Sequence, residues 1–240
     1  MKLTTKYSLL LVLSVFSFQT INAQDKNFNL GFKVIPGFNW IKSKTSAIQQ
    51  DGSGIGFSFG FLADIKLADN YYFTPELNVT SMTNRMKLKD TASLPDNSVY
   101  SNVSRKYNLK YIELPLTFKF KTNSSNGIRY WGQFGIAPGF IISNSVTTTA
   151  TPRSTGSRFP DEKYIPNAKD NNKYDFNGHE DNINIFRAAM ILGAGIEYNI
   201  SGNTSFYTGI RFNNGFTDIL NSKKDQVINN VLGLEIGLLF

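Results

Sequence analysis

One histidine, His179, stands beside Glu180 and Asp181 in DNNKYDFNGHEDN (170–182), and it is the only imidazole the chain can use as a base. Hydrolytic or acyl-transfer chemistry needs a nucleophile held by such a base. A lone histidine in a polar segment is more often simply solvated. Asp170, Asp175, Glu180 and Asp181 could instead gather a calcium ion, but their spacing matches no recognised calcium loop. Cysteine is absent, so no His/Cys metal set is available and no disulfide framework can form. Phosphate-binding glycine loops do not occur in a strand-to-helix context. The residues therefore assign no catalytic group, no cofactor and no metal, and point to a protein that is not an enzyme.

The charges with real regularity lie elsewhere. In YIELPLTFKFK (111–121) a carboxylate, a threonine and lysines alternate with Ile112, Leu114, Leu116, Phe118 and Phe120. Period-two alternation of this kind marks a strand with one apolar and one polar face. It recurs in eight segments, roughly 28–40, 54–67, 71–86, 107–121, 128–142, 185–200, 204–214 and 228–240. Each can supply the ~9–11 residues a tilted strand needs to cross a bilayer. No stretch after the first 23 residues offers the ~18 consecutive apolar residues of a membrane helix.

Two barrels share this pattern and differ in which face points inward. The apolar phase is rich in Phe, Tyr and Leu, far too bulky for the interior of eight strands. The other phase holds the glycines, among them Gly31, Gly60, Gly135, Gly195, Gly209 and Gly237. Small and polar inside, apolar outside is the membrane solution. The connections agree, because short ones (68–70, 122–127, 201–203) alternate strictly with long ones (41–53, 87–106, 143–184, 215–227). The fold expected is all-β: an eight-stranded antiparallel up-and-down transmembrane β-barrel with short periplasmic turns, longer external loops and both termini on the periplasmic side.

Aromatics near the strand ends form two girdles on this reading. Phe28, Tyr71, Phe73, Phe118, Phe120, Tyr130, Tyr198, Phe206 and Phe240 belong to the periplasmic one; Trp40, Phe140, Phe186 and Phe212 belong to the outer one. Projected inward are Lys33, Asp64, Lys66, Glu76, Glu113, Lys119, Arg129, Arg187, Glu197, Arg211 and Glu235, which must pair because a lone buried charge is costly. Strands one and eight meet on closure, so Lys33 and Glu235 should interact. A salt-bridged plug fits so narrow a barrel better than an open path. Pro36, Pro75, Pro115 and Pro138 each remove a ladder donor with no edge strand to hide them on, and bulges are the expected remedy.

Residues 1–23 read as a signal peptide, with Lys2 and Lys6 ahead of LLLVLSVFSF and with Ile21 and Ala23 preceding a cut before Gln24, leaving 24–240 as the barrel domain. The net charge of +7 is spread along the chain rather than gathered, which disfavours nucleic acid.

YIELPLTFKFK resembles a strand motif of the PorT-like outer-membrane β-barrel family. FTPELNV (73–79), GAGIEYNIS (193–201), the Gly-Ile-Arg of 209–211 and the terminal Phe240 extend the likeness over essentially 24–240. The resemblance implies a bacterial outer-membrane location, outer-membrane lipid as surroundings, and Phe240 as the aromatic signal read by the barrel-insertion machinery. Some members of that family serve protein secretion, which makes an envelope or secretion-system protein a candidate partner. A structural or partner-binding role is the first reading; a small-solute pore and a surface lipid- or protein-modifying enzyme are the alternatives.

Overall fold

A computed structural model describes residues 28–44, 48–88, 100–152, 164–166, 174–178, 183–221 and 226–240. The signal-peptide reading for 1–23 lies outside the described residues, as do His179, Asp170, Glu180 and Asp181. Twelve strand segments are described: β1 (Phe28–Ser43), β2 (Ile48–Gln50), β3 (Gly54–Ala68), β4 (Tyr71–Leu88), β5 (Tyr100–Glu113), β6 (Leu116–Lys121), β7 (Ile128–Pro152), β8 (Tyr164–Pro166), β9 (Tyr174–Gly178), β10 (Phe186–Ser201), β11 (Thr204–Gly215) and β12 (Val227–Leu239). β5 and β6 are one stave interrupted at Leu114 and Pro115, so the wall has eight staves.

Every neighbouring pair is antiparallel. The ring closes where β1 meets β12, from Gly31↔Leu239 through Val34↔Ile236 to Ser43↔Val227. The backbone of Phe240 completes that seam, its N–H donating to Leu30 O at 2.8 Å and its carbonyl accepting from Leu30 N at 3.1 Å. In lipid no water can satisfy an open edge, so a sheet without edges is the only stable form. Three tight turns join staves at the periplasmic end. In one of them Asn126 and Gly127 both take positive φ (51° and 79°), as a two-residue hairpin turn requires, and Ser125 and Ile128 exchange backbone bonds. Beside another, the Lys66 ammonium lies 2.8 Å from Asp69 and holds its carboxyl below the usual carboxylate range.

Burial follows the alternation with the apolar phase outward. Ile55 is 74% exposed and Phe61 70%, whereas Asp64 and Glu235 are at 0%. A water-soluble protein would hide that apolar surface; here the bilayer covers it. Aromatic pairs mark both ends. Trp40 and Phe212 stack at 6.0 Å toward the outer end. Tyr71–Phe120 and Phe73–Phe118 meet at 5.2 and 5.6 Å toward the periplasm.

The prolines are accommodated differently from the sequence expectation. No register shift occurs at Pro36, Pro75, Pro115 or Pro138; the shifts lie at Lys66/Ala68, Asn199/Ser201, Ser101/Ser104 and Lys110/Tyr111. Pro115 and Pro138 lose only a donor while their carbonyls stay in the ladder. Glu76 N donates to Pro115 O and Leu114 N to Pro138 O, both at 2.8 Å, so register continues unbroken past them. The external connections also hold more strand than expected. β4 runs on to Leu88, β5 starts at Tyr100, and β7 reaches Pro152, where it carries β9 and β8 as a further flap. At a rise of about 3.3 Å per residue β7 far exceeds the span of a bilayer. The β-branched run of Val146, Thr147, Thr148, Thr149 and Thr151 in SVTTTAT favours extended backbone there.

Inward glycines make space for two large rings. An added Cβ at Gly209 would lie 2.5 Å from the Trp131 indole, and one at Gly237 would lie 2.5 Å from the Tyr207 ring. Gly209→Val should therefore destabilise the barrel by about 1–3 kcal/mol, the usual result of overpacking. The shift of the urea midpoint in vesicles measures this, and an unchanged midpoint would refute the packing assigned to Trp131.

Candidate functional site: the charged barrel interior

Inward side chains from all eight staves meet on the axis in tiers. At the periplasmic end, β3 contributes Asp64 and β6 contributes Lys119 and Lys121. Lys119 Nζ lies 2.9 Å from Asp64 Oδ1 and Lys121 Nζ 2.8 Å from Oδ2, while the Thr74 hydroxyl donates to Oδ1 at 2.7 Å. Lys121 also reaches Glu197 at 2.6 Å. The Lys119 ammonium sits over the rings of Trp131 and Tyr207 at 5.6 and 5.3 Å, so its charge is met by π faces as well as by a carboxylate.

The middle tier is a four-membered ring of alternating sign. Lys33 Nζ lies 2.6 Å from Glu76 and 2.9 Å from Glu235; Arg211 Nη1 lies 3.0 Å from Glu76 and 3.6 Å from Glu235. Gln133 donates to Glu235 at 2.9 Å and Asn78 to Glu76 at 3.0 Å. Lys33–Glu235 and Arg211–Glu235 join neighbouring staves, while Glu76 on β4 reaches Lys33 and Arg211 from staves that are not its neighbours, so four staves, β1, β4, β11 and β12, are tied together. Lys33 stands opposite Gly237 in the register, so Glu235 reaches it diagonally and the glycine clears the way.

Higher up, Arg187 pairs with Glu113 at 2.5 Å, and Glu113 accepts from the Thr80 hydroxyl at 2.7 Å. Above them Asn39 donates to Asn84 at 2.7 Å and Asn229 also donates to Asn84. The outer mouth is then filled by an apolar cluster that includes Ile41, Met82, Met86, Tyr107, Leu109 and Tyr111. Between the Glu113 and Arg211 levels lies a cavity of about 20 Å³, bordered by Ile35, Ser58, Thr80 and Met82, enough for about one water. The geometry neutralises charge within the lumen and leaves no wide aqueous route among the described residues. Nor do those residues include a cluster of three His, Cys, Asp or Glu able to hold a metal.

Lys33, Asp64, Glu76, Glu113, Lys119, Arg187, Glu197, Arg211 and Glu235 all lie buried in this network. Two residues projected inward stand apart from it. Arg129, one residue into β7, is at the periplasmic rim with its side chain 40% exposed, reaching Glu197 at 3.5 Å. Lys66 is exposed beyond the end of the lumen, near Asp69. Both lie at strand ends where the polar phase faces water. Lys121 was missing from the expected set although it shares the phase of Lys119, which was signal enough. Trp131 and Tyr207 were missed because aromatics pointed to the girdles; only their facing glycines could have hinted otherwise.

These features define a class: a transmembrane β-barrel of eight staves, apolar without and sealed by ion pairs within. A family model for the outer membrane protein beta-barrel domain matches residues 22–221, and the chain belongs to that family. Its location is the bacterial outer membrane. The matched span stops short of β12, the stave that closes the ring. No curated protein matches the chain. Solved structures similar to it include Neisserial surface protein A (12% identity, 90% of this chain and 98% of that one, TM-score 0.45). OprG from Pseudomonas aeruginosa is similar at 9% identity over 89% and 94%, with TM-score 0.44. Ail of Yersinia pestis, solved with the heparin analogue sucrose octasulfate, is similar at 11% over 89% and 99%, with TM-score 0.38.

Glu235→Gln should cost about 3–5 kcal/mol, because it leaves Lys33 and Arg211 sharing Glu76 in a buried site. The double change Lys33→Met/Glu235→Met should recover most of that loss, since it removes charge in a matched pair. Urea unfolding in lipid vesicles compares the two. A double variant less stable than Glu235→Gln would contradict the pairing.

Proposed function

We propose that this chain is a non-enzymatic envelope component, a member of the PorT-like group of outer-membrane barrels, that works by binding another envelope protein rather than by passing solutes. The observation that carries this reading is the combination of a lumen closed by the Lys33–Glu76–Arg211–Glu235 ring with a wall that β4, β5 and β7 extend past the bilayer. An extended external sheet with the β8–β9 flap offers strand backbone to a partner, whereas a plugged lumen offers little to a solute. A component of a protein-secretion assembly is the kind of partner the group suggests. His179 carries no catalytic role on this reading.

Phe240 serves as the insertion signal. Its ring faces outward, 47% exposed, with its centroid 6.2 Å from that of Phe32, and its backbone closes the β1–β12 seam. A recognition element at the seam is accessible before the ring closes.

Crosslinking in the native membrane, followed by mild detergent extraction and mass spectrometry, is expected to recover one envelope protein in stoichiometric amount. Planar-bilayer recordings of the purified barrel are expected to show no steady current. A lone monomer with sustained conductance would replace this reading with the small-solute pore. Phe240→Ser should lower the amount of barrel assembled in cells several-fold while leaving spontaneous folding into vesicles nearly unchanged. Equal losses in both assays would mean that the ring acts in stability rather than in recognition.

A further inference from the structure

On the outward face of β4 and β5 the apolar sequence gives way to bases. Leu114 and Ile112 are followed upward by Lys110 and then Lys106, and Leu77 and Val79 by Arg85 and Lys87, all four bases exposed. Arg85 and Lys106 are direct cross-strand partners, while Lys110 faces Ser81 and Lys87 faces Ser104. Like charges placed opposite one another in a ladder destabilise it in water. Among the described residues no carboxylate compensates them: the carboxylate of Asp51 is engaged by the Ser104 hydroxyl at 2.6 Å, and none of the four bases is ion-paired there. Their height supplies the reason. At roughly 2.5 Å of climb per residue in a tilted strand, Lys110 stands about 25 Å above Phe120 of the periplasmic girdle, the full height of the apolar band. Arg85 and Lys106 lie about 5–10 Å higher, at the level of the outer headgroups. On β1 the same step occurs, from Trp40 of the outer girdle to the exposed Lys42.

We infer that Arg85, Lys87, Lys106 and Lys110 form a binding surface for the phosphate groups of an outer-leaflet lipid, with the acyl chains lying along the apolar wall below. The paired bases are repulsive only until a phosphate sits between them. Arginine and lysine side chains on neighbouring strands then share its oxygens, as charge-assisted hydrogen bonds allow. Lipid phosphate rather than free phosphate fits because the bases continue directly from a lipid-facing surface on the same staves. The site is independent of the partner proposed above.

Thermal unfolding of the barrel in a zwitterionic detergent tests this with three probes: bis-phosphorylated lipid A, the same lipid dephosphorylated, and inorganic phosphate at equal phosphorus concentration. Only the phosphorylated lipid should raise the unfolding temperature. The half-saturating concentration should rise about fivefold for each charge removed, hence about 25-fold for Lys106→Gln/Lys110→Gln. In the quadruple Gln variant the effect should vanish. Stabilisation by the dephosphorylated lipid equal to that by the phosphorylated one would overturn the inference, as would equal stabilisation by inorganic phosphate or an unchanged response of the double variant. If the quadruple variant does not fold, the double variant and the three-probe comparison on the unaltered barrel still decide.

Discussion

Every other feature of this protein depends on the hydrogen-bonded seam between β1 and β12. Lipid offers a peptide group no partner, so each N–H and C=O at membrane depth has to be satisfied by a neighbouring strand. Closing the ring achieves that, and it sets the number of staves, the lumen they enclose and the side of the wall on which each residue falls. The prolines show how strictly the rule operates. Pro115 and Pro138 forfeit donors yet keep their carbonyls bonded to Glu76 and Leu114. The register passes through them without a bulge, so the inward and outward phases continue across these positions.

Closure then fixes how much the lumen can hold. Two bulky rings, Trp131 and Tyr207, fit because Gly195, Gly209 and Gly237 lie opposite them. The rest of the volume goes to charges that neutralise one another across the axis. Desolvating so many ions is expensive, and apolar residues would fill the space at less cost. What the ion pairs add is direction: Lys33, Glu76, Arg211 and Glu235 come from four different staves, and the observed arrangement brings all four into one ring of alternating sign. The tiers grade from charged at the periplasmic end to apolar at the outer mouth.

Outside the membrane the same strands continue. Above the girdle the wall between β4, β5 and β7 no longer needs an apolar outer face, and the outward phase turns to lysine, arginine, serine and threonine. The β4–β5 and β5–β7 pairings thus carry the sheet out from the surface.

The sequence by itself determined the eight staves, their inward and outward phases, the order of short and long connections and nearly all of the lumen charges. Those follow from local alternation, which has the period of a strand wherever the strand lies. Lys121 was legible in the same way, as the next inward position after Lys119. The Lys33–Glu235 pair also followed from closure of the first strand on the last, but only the tertiary structure decided how the other acids and bases pair, that Trp131 and Tyr207 turn inward, and that Arg129 and Lys66 sit at the rim. It also decided that the prolines need no bulges and that β4, β5 and β7 run on past the bilayer. These depend on the relative stagger of strands distant in sequence, and on the space left at each height once the ring has closed. Alternation along one strand carries no information about either.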